Sequence, residues 1–364
     1  MAIYKGNKKV VAVYKGSTPI NKIYKGVTLV FQKSGGGSQS VPVVITFTDN
    51  SDPSKRQYKP VCEGTTKTAT SQTIELPSEG ETYKFVNTNT LLEVRNYSNN
   101  CPSVTSFENL FSNATNMKTL TFAKGMDTSK IGSMYRMFYN CTKLVSLDLS
   151  SFNTSNCTSF NNMFDSCNSL VSIDLSSFDT SNCTSFYYMF YDCGKLGSLD
   201  VSSFNTSKCT NFYGMFFYCT SLGSLDVSSF NTANAETMDY MFSNCRSLVS
   251  LDLSSFNTSN CTSLAGMFKD CYSLGSLDLS SFDTSNCTSF NSMFYDCRSL
   301  VSLDLSNFDT SKCTSFYGMF YRCYNLTHIK CKQAFKDWCI TNQDTILLPD
   351  TMREGGSGTW EIVG

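Results

Sequence analysis

Histidine is all but absent from this sequence, with His328 alone among 364 residues. One imidazole excludes multi-histidine metal sites and makes any His-dependent triad rest on a single position. Charge is scarce too, at 16% of residues, and balanced at 29 basic against 30 acidic side chains. That balance provides no electrostatic footprint for nucleic acid or a membrane surface. Long apolar runs are missing, so no membrane insertion is expected. Met1–Lys9 (MAIYKGNKK) passes into alternating residues without the apolar core of a secretory signal. No Cys-x-x-Cys pair, phosphate loop or nucleophile elbow occurs. The expectation is a protein without catalysis, metal or cofactor, whose surface is Ser, Thr, Asn and aromatic rings in place of charge.

What is present is repetition. The pair Met-Phe recurs at 137, 163, 189, 215, 241, 267, 293 and 319, every 26 residues without slippage. A fixed period of this length marks stacked repeats, each burying its apolar face only against its neighbours. Leu170-Val-Ser-Ile-Asp-Leu fits the strand pattern L-x-x-L-x-L, and alternation over Ser172–Ser176 turns Ile173 and Leu175 inward. From Thr184 to Cys193 the residues Phe186, Met189, Phe190 and Cys193 lie three and four apart, which predicts a short helix or 3₁₀ turn. The expected fold class is a repeat solenoid of leucine-rich-repeat type, strand plus short helix or 3₁₀ turn per coil, preceded by small all-β segments. A weaker unit around Leu110-Phe111, with Ala114 in a cysteine register, precedes the eight as an atypical terminal repeat.

Cysteine is abundant, at 18 residues, but its register argues against a disulfide framework. One column runs from Cys141 to Cys323 through every copy; a second runs from Cys157 to Cys313, with Ile131 and Ala235 in the same register. A small buried slot tolerates Ala and Ile, whereas a metal ligand or disulfide partner does not. Buried reduced thiols are expected, with disulfides between some neighbouring coils as the other reading. The residue after the buried Phe interchanges Asn and Asp (Asn153, Asp179, Asn205), so its oxygen matters and its charge does not, as in an Asx turn. The strand acid never interchanges: Asp148, Asp174, Asp200, Asp226, Asp252, Asp278 and Asp304 form a ladder of like charge, which has a cost. Two readings stand: a solvated ladder hydrogen-bonded by flanking serines, or a track for cations or a basic ligand.

The copies differ mainly beside Met-Phe. Those slots carry Tyr187, Tyr188, Tyr191, Tyr213, Phe217, Tyr218, Tyr240, Tyr295, Tyr317 and Tyr321, mixed with Asn, Ser, Gly, Asp and Arg. After the first cysteine column stand Arg246, Tyr272, Arg298 and Tyr324. These positions alternate with buried ones and are expected to be exposed. Tyrosine among small polar residues is the composition of an adaptable recognition surface, and its ring can stack on sugars. The alternative is that many of these rings lie flat over neighbouring coils as peripheral packing.

The ends divide the chain further. Residues 1–33 hold Ile3-Tyr-Lys-Gly, Val13-Tyr-Lys-Gly and Ile23-Tyr-Lys-Gly at ten-residue intervals, short strands with too little core to stand alone. They are read as an anchoring segment that makes the protein a homo-oligomer. A Gly/Ser linker follows at 34–40, then strand patterns over 41–100 (Val43–Phe47, Gln72–Leu76, Thr82–Val86, Leu91–Val94) suggesting a small β-sandwich-like domain. The repeats occupy 101–332, and 333–364 reads as a C-terminal cap with a helix over Gln333–Thr341 and a strand at Trp360-Glu-Ile-Val.

The unit MFxxCxxLxxLDLSxFxTSNxTSF, over Phe107–Cys331, resembles the BspA-like leucine-rich repeats of bacterial surface proteins. The resemblance implies a solenoid on a cell or virion exterior that binds host proteins or glycans without catalysis. The second cysteine column departs from that pattern, where valine is usual. The tandem Tyr-Lys-Gly segments resemble the N-termini of structural proteins of gut bacteriophages. That resemblance implies a virion fibre or appendage, contacting other virion proteins through its N-terminus and a bacterial surface protein or glycan through its coils. A bacterial cell-surface adhesin is the alternative.

Overall fold

The computed structural model describes residues 106–115 and 128–363 in full and, elsewhere, the backbone of short strands. The Tyr-Lys-Gly segments and the Gly/Ser linker lie outside the described residues. Strands β1 (Thr28–Leu29), β2 (Val44–Thr46), β3 (Thr66–Ala69), β4 (Thr73–Glu75), β5 (Thr82–Asn87) and β6 (Thr90–Arg95) form two three-stranded sheets, ordered β1-β4-β2 and β3-β5-β6. The four strand patterns read between residues 43 and 94 thus correspond to β2, β4, β5 and β6.

From Ser106 onward each 26-residue copy lies in parallel register on the next. Parallel bridges run Ser106↔Ser133, Ser133↔Ser159, Ser159↔Ser185, Ser185↔Asn211 and Asn211↔Thr237, and again Ser263↔Ser289↔Ser315. Stacking in register places identical side chains above one another, and the core follows from that. Phe111, Phe138, Phe164, Phe190, Phe216, Phe242, Phe268, Phe294 and Phe320 form one column, successive rings 5.4–6.0 Å apart and nearly parallel. Each stacked pair contributes about 0.5–1.5 kcal/mol beyond the area it buries.

Of the short helix or 3₁₀ turn expected over Thr184–Cys193, the structure has separate turns and no continuous helix. Met189 N–H bonds the Phe186 carbonyl at 3.0 Å and Cys193 N–H bonds that of Phe190 at 3.2 Å, closing two consecutive four-residue turns. The third residue of each, Tyr188 and Asp192, has a φ of 53°. Positive φ at that place reverses the chain where a helix would carry on. Alternate N–H groups point along the stack: Phe186, Tyr188, Phe190 and Asp192 donate to the carbonyls of Asn211, Tyr213, Met215 and Phe217 in the next coil at 2.8–3.0 Å. Two tandem turns bury the first and fourth residues of each, so they produce the same three-and-four spacing as a helix face.

The strand side behaves differently. Strand β7 (Thr119–Thr121) pairs in parallel with β8 (Ser146–Asp148), and β9 (Ser302–Asp304) pairs with β10 (His328–Lys332). In the intervening coils the same segment keeps its alternation of buried and exposed residues, as at Ser172–Ser176, but no strand ladder is present. A ladder forms where the strand acid faces a different residue: Asp148 faces Thr121, and Asp304 faces Lys330 with an Nζ–carboxylate distance of 3.1 Å. Where Asp faces Asp, like-charge repulsion across the pair opposes close approach.

Two buried polar columns tie the coils together. Thr206 is 1% exposed; its hydroxyl donates to the Asn231 carbonyl at 2.9 Å and accepts the Asn231 N–H at 2.8 Å. Thr154, Thr180, Thr232, Thr258 and Thr284 donate in the same way to the coil that follows. In the first cysteine column each thiol donates to a phenylalanine carbonyl of the preceding coil, as Cys193 does to Phe164 at 3.2 Å and Cys219 to Phe190 at 3.2 Å. The described cysteines are free thiols, buried except for half-exposed Cys313.

The stack ends in helix α1 (Gln333–Thr341), the short helix α2 (Gln343–Ile346) and strand β11 (Thr359–Val363). Strand β10 lies between β9 and β11, and Lys330 spans to Asp304 and Glu361. The carbonyls of Thr345 and Ile346 accept the Gly318 and Phe320 N–H groups, replacing the coil that does not follow. Trp338 covers Phe316 with ring centroids 4.4 Å apart.

Candidate functional site

Every coil has two turn positions of positive φ. The first holds Arg136, Asn162, Tyr188, Gly214, Tyr240, Gly266, Ser292 and Gly318; the second holds Asn140, Ser166, Asp192, Tyr218, Asn244, Asp270, Asp296 and Arg322. Gly, Asn and Asp suit this conformation, and a bulky residue there is strained. Part of the variation read as recognition chemistry is therefore backbone chemistry. Three tyrosines and two arginines are not accounted for in that way.

Tyr188 and Tyr240 each lie over a glycine in the same column. A Cβ on Gly214 would stand 2.2 Å from the Tyr188 ring, and one on Gly266 would stand 2.4 Å from the Tyr240 ring. Around these two rings the structure gathers seven of the sequence-derived candidates into one patch over three coils. Tyr187 and Tyr213 are 5.4 Å apart, Tyr213 and Tyr240 5.6 Å, and Tyr188 meets Tyr213 edge-on at 5.3 Å. Tyr191 packs edge-on against Phe217 at 5.3 Å, and Phe217 joins Tyr218 at 4.7 Å and Tyr240 at 5.7 Å. Burial pushes the Tyr188, Tyr191 and Tyr213 phenols above their usual range. The expectation of exposure is corrected here: all seven are half-buried, and each ring covers the neighbouring coil, as in the packing alternative.

The other candidates lie apart from this patch. Tyr272 sits between Arg246 and Arg298, and Tyr295 meets Tyr321 at 4.7 Å beneath Lys269. Tyr317 and Tyr324 are well exposed, each at 61%. Arg136, set between Tyr135 and Tyr139 at 5.0 and 4.8 Å, belongs to the same face and was not singled out from the sequence.

The acidic ladder lies on the strand side. The Ser176 N–H bonds the Asp174 carboxylate at 2.9 Å, and Ser150, Ser202, Ser228, Ser254, Ser280 and Ser306 repeat this on Asp148, Asp200, Asp226, Asp252, Asp278 and Asp304. Asn153 and Asn205 accept the same bond from Ser155 and Ser207. Among the described residues, no group of three or more His, Cys, Asp or Glu side chains is arranged to hold a metal ion. The serine side chains, followed by their backbone N–H groups, hold Asp174, Asp200, Asp226 and Asp252 below the usual carboxylate range. A depressed carboxylate contributes stability above its unfolded value that is lost as pH falls through the folded one. Asp165 and Asp239, pushed up by burial, act with the opposite sign. The Tm is therefore expected to fall on acidification below the ordinary aspartate value of 3.8. The double variant Asp200→Asn/Asp226→Asn keeps the local bond through the amide oxygen and removes repulsion. Its Tm at neutral pH and low salt should equal or exceed that of the unchanged chain, with a shallower acid loss. A drop of more than about 5 °C in calorimetry at pH 7 would assign the charges a structural role.

The family model described as Mycoplasma protein of unknown function, DUF285, matches residues 105–224, 174–274 and 217–338. The chain belongs to this repeat family. No curated protein matches the chain. Among the described residues, no helix is long and apolar enough to cross a membrane.

Proposed function

We propose that this chain is a non-enzymatic recognition protein, a leucine-rich-repeat-type solenoid whose turn face binds a bacterial surface protein or glycan. One observation carries the reading: Tyr188, Tyr218 and Tyr240 occupy left-handed turn positions, with φ of 53°, 63° and 58°. A left-handed residue with a side chain costs about 1–2 kcal/mol, and the same positions in most other coils are filled by glycine, asparagine, aspartate or serine, with arginine at 136 and 322. The coil does not need these rings, so their role lies in what they present outward. Tyrosine also supplies large contact area at low entropic cost.

In this proposal the protein is a bacteriophage fibre or appendage on the virion exterior. The Tyr-Lys-Gly segments join it to other virion proteins as a homo-oligomer. A bacterial cell-surface adhesin is the second reading, favoured by the family match, whose description is of a Mycoplasma protein. Hydroxyl-radical footprinting of the full chain on bacterial envelopes tests recognition in either setting. Protection should fall on Tyr187, Tyr188, Tyr213, Phe217 and Tyr218. Protection confined to the Leu-Asp-Leu segments of the strand side would move the binding face there. Protease or periodate treatment of the envelopes then separates a protein receptor from a glycan.

A further inference from the structure

Beyond the tyrosine patch the turn face changes character. The residue after the first cysteine column reads Arg246, Tyr272, Arg298, Tyr324 over four successive coils. The Tyr272 ring lies between two guanidiniums, 5.1 Å from that of Arg246 and 4.1 Å from that of Arg298. Arg298 is fixed further by a two-point pair with Asp296, both bonds 2.7 Å. Arg246 bonds the neutral Oδ1 of Asn244 at 3.3 and 3.0 Å, in the register that Asp296 occupies two coils on. Arg322 joins the group, 3.9 Å from Asp296 and over the Tyr321 ring at 5.1 Å. The Asp296 side chain is only 2% exposed, whereas those of Arg298 and Arg322 are 46% and 44% exposed. Cations therefore face solvent with their counter-charge behind them, and the Tyr324 ring beside them is 61% exposed.

We propose that this ladder binds an anionic glycan carrying an acidic group on every second sugar. The chain of sugars would run along the stack, with acids on Arg246 and Arg298 and a sugar face on Tyr324. Coils repeat at about the strand spacing of ~4.8 Å, so the two arginines recur at about 10 Å. An extended hexopyranose chain advances by a similar length per sugar, so alternate sugars meet alternate coils. An extended peptide presents same-side residues every ~7 Å, which does not match, and a duplex nucleic-acid strand, with a phosphate every ~3.4 Å, would bring only every third phosphate to an arginine and leave those between facing Tyr272. Tyr272 acts as the spacer, since both of its faces are covered by arginine. Guanidinium forks suit carboxylate, sulfate or phosphate by two-point bonding.

The inference deepens the recognition reading by naming a ligand class for a separate part of the face, and its test does not depend on the tyrosine patch. Calorimetric titration of the full chain would use hyaluronan oligosaccharides, with a carboxylate on every second sugar. Polygalacturonate, dextran, polyglutamate and oligo-dT serve as comparisons. The alternating polymer should bind most tightly. Arg246→Gln, at an exposed side chain that meets the Asn244 amide and one face of the Tyr272 ring, should weaken it about tenfold with little change in Tm, and Tyr324→Ser should weaken it as well. Neither variant should alter the footprint on the tyrosine patch. Absence of hyaluronan binding would overturn the proposal, as would equal affinity for polyglutamate or oligo-dT, or unchanged affinity in Arg246→Gln.

Discussion

Replacing Phe216 by alanine is expected to destabilise the coils by about 3–5 kcal/mol, among the largest effects of any single change in the chain. Phe216 is fully buried and lies 5.8 Å from Phe190 and 5.7 Å from Phe242 in near-parallel stacks. Its removal opens a cavity in the middle of the column and breaks two ring stacks at once. In a stack where each unit touches only its neighbours, no distant contact compensates. The thiol of Cys245 donates to the Phe216 carbonyl, so a shift of the backbone would also loosen the cysteine column. Urea denaturation followed by circular dichroism reads the change as a lowered midpoint. A shift worth less than about 1.5 kcal/mol, the range of a conservative core swap, would mean that the column is not the main source of cohesion.

The second large effect is kinetic. Burial pushes the thiols of Cys157, Cys209, Cys261, Cys271, Cys287 and Cys323 up to about 12 from 9.0. Only the thiolate attacks an alkylating agent, and three pKa units lower its fraction about a thousandfold. Access also requires local opening of the coil, which multiplies the protection. Maleimide labelling of the native chain at pH 8, read residue by residue by mass spectrometry, should therefore modify Cys313 first among residues 141–339, since it alone is half-exposed. The remaining cysteines of that stretch should react only in denaturant. Fast, uniform labelling, or disulfide-linked peptides from neighbouring coils, would refute buried reduced thiols.

Much of this arrangement was legible in the residues. The 26-residue period and the inward positions Phe186, Met189, Phe190 and Cys193 follow from patterning alone, and the structure buries all four. Spacing leaves a short helix and a turn open, because tandem four-residue turns imitate helical spacing, and it does not reveal the positive φ that separates the two turns. Its signal was present nonetheless: Gly214, Gly266 and Gly318 share one register and Asp192, Asn244, Asp270 and Asp296 another, which is the composition that positive φ favours. The cysteines were read as small hydrophobes, and the bonds from Cys193 and Cys219 to phenylalanine carbonyls add a reason why that column holds sulfur in all eight copies. The threonine column escaped notice because a buried hydroxyl resembles a surface one until its partner in the next coil is known. For the candidate site, residue types indicated the face, but only packing shows which rings meet. Tyr187 through Tyr240 join across three coils, while Tyr317 stands apart.

Binding of a quadruple variant, Tyr187→Ser/Tyr188→Ser/Tyr213→Ser/Tyr218→Ser, to bacterial cells measures recognition by the tyrosine patch most directly. Serine already occupies these two left-handed positions at 292 and 166, so the turn backbone accepts it at 188 and 218. The variant should therefore fold, with its Tm close to that of the unchanged chain. Aromatic anchors near the centre of an interface each contribute about 2 kcal/mol or more, so affinity should fall by more than about a hundredfold. Unchanged binding by a folded variant would contradict recognition by these rings. Loss of the fold would assign them to packing instead.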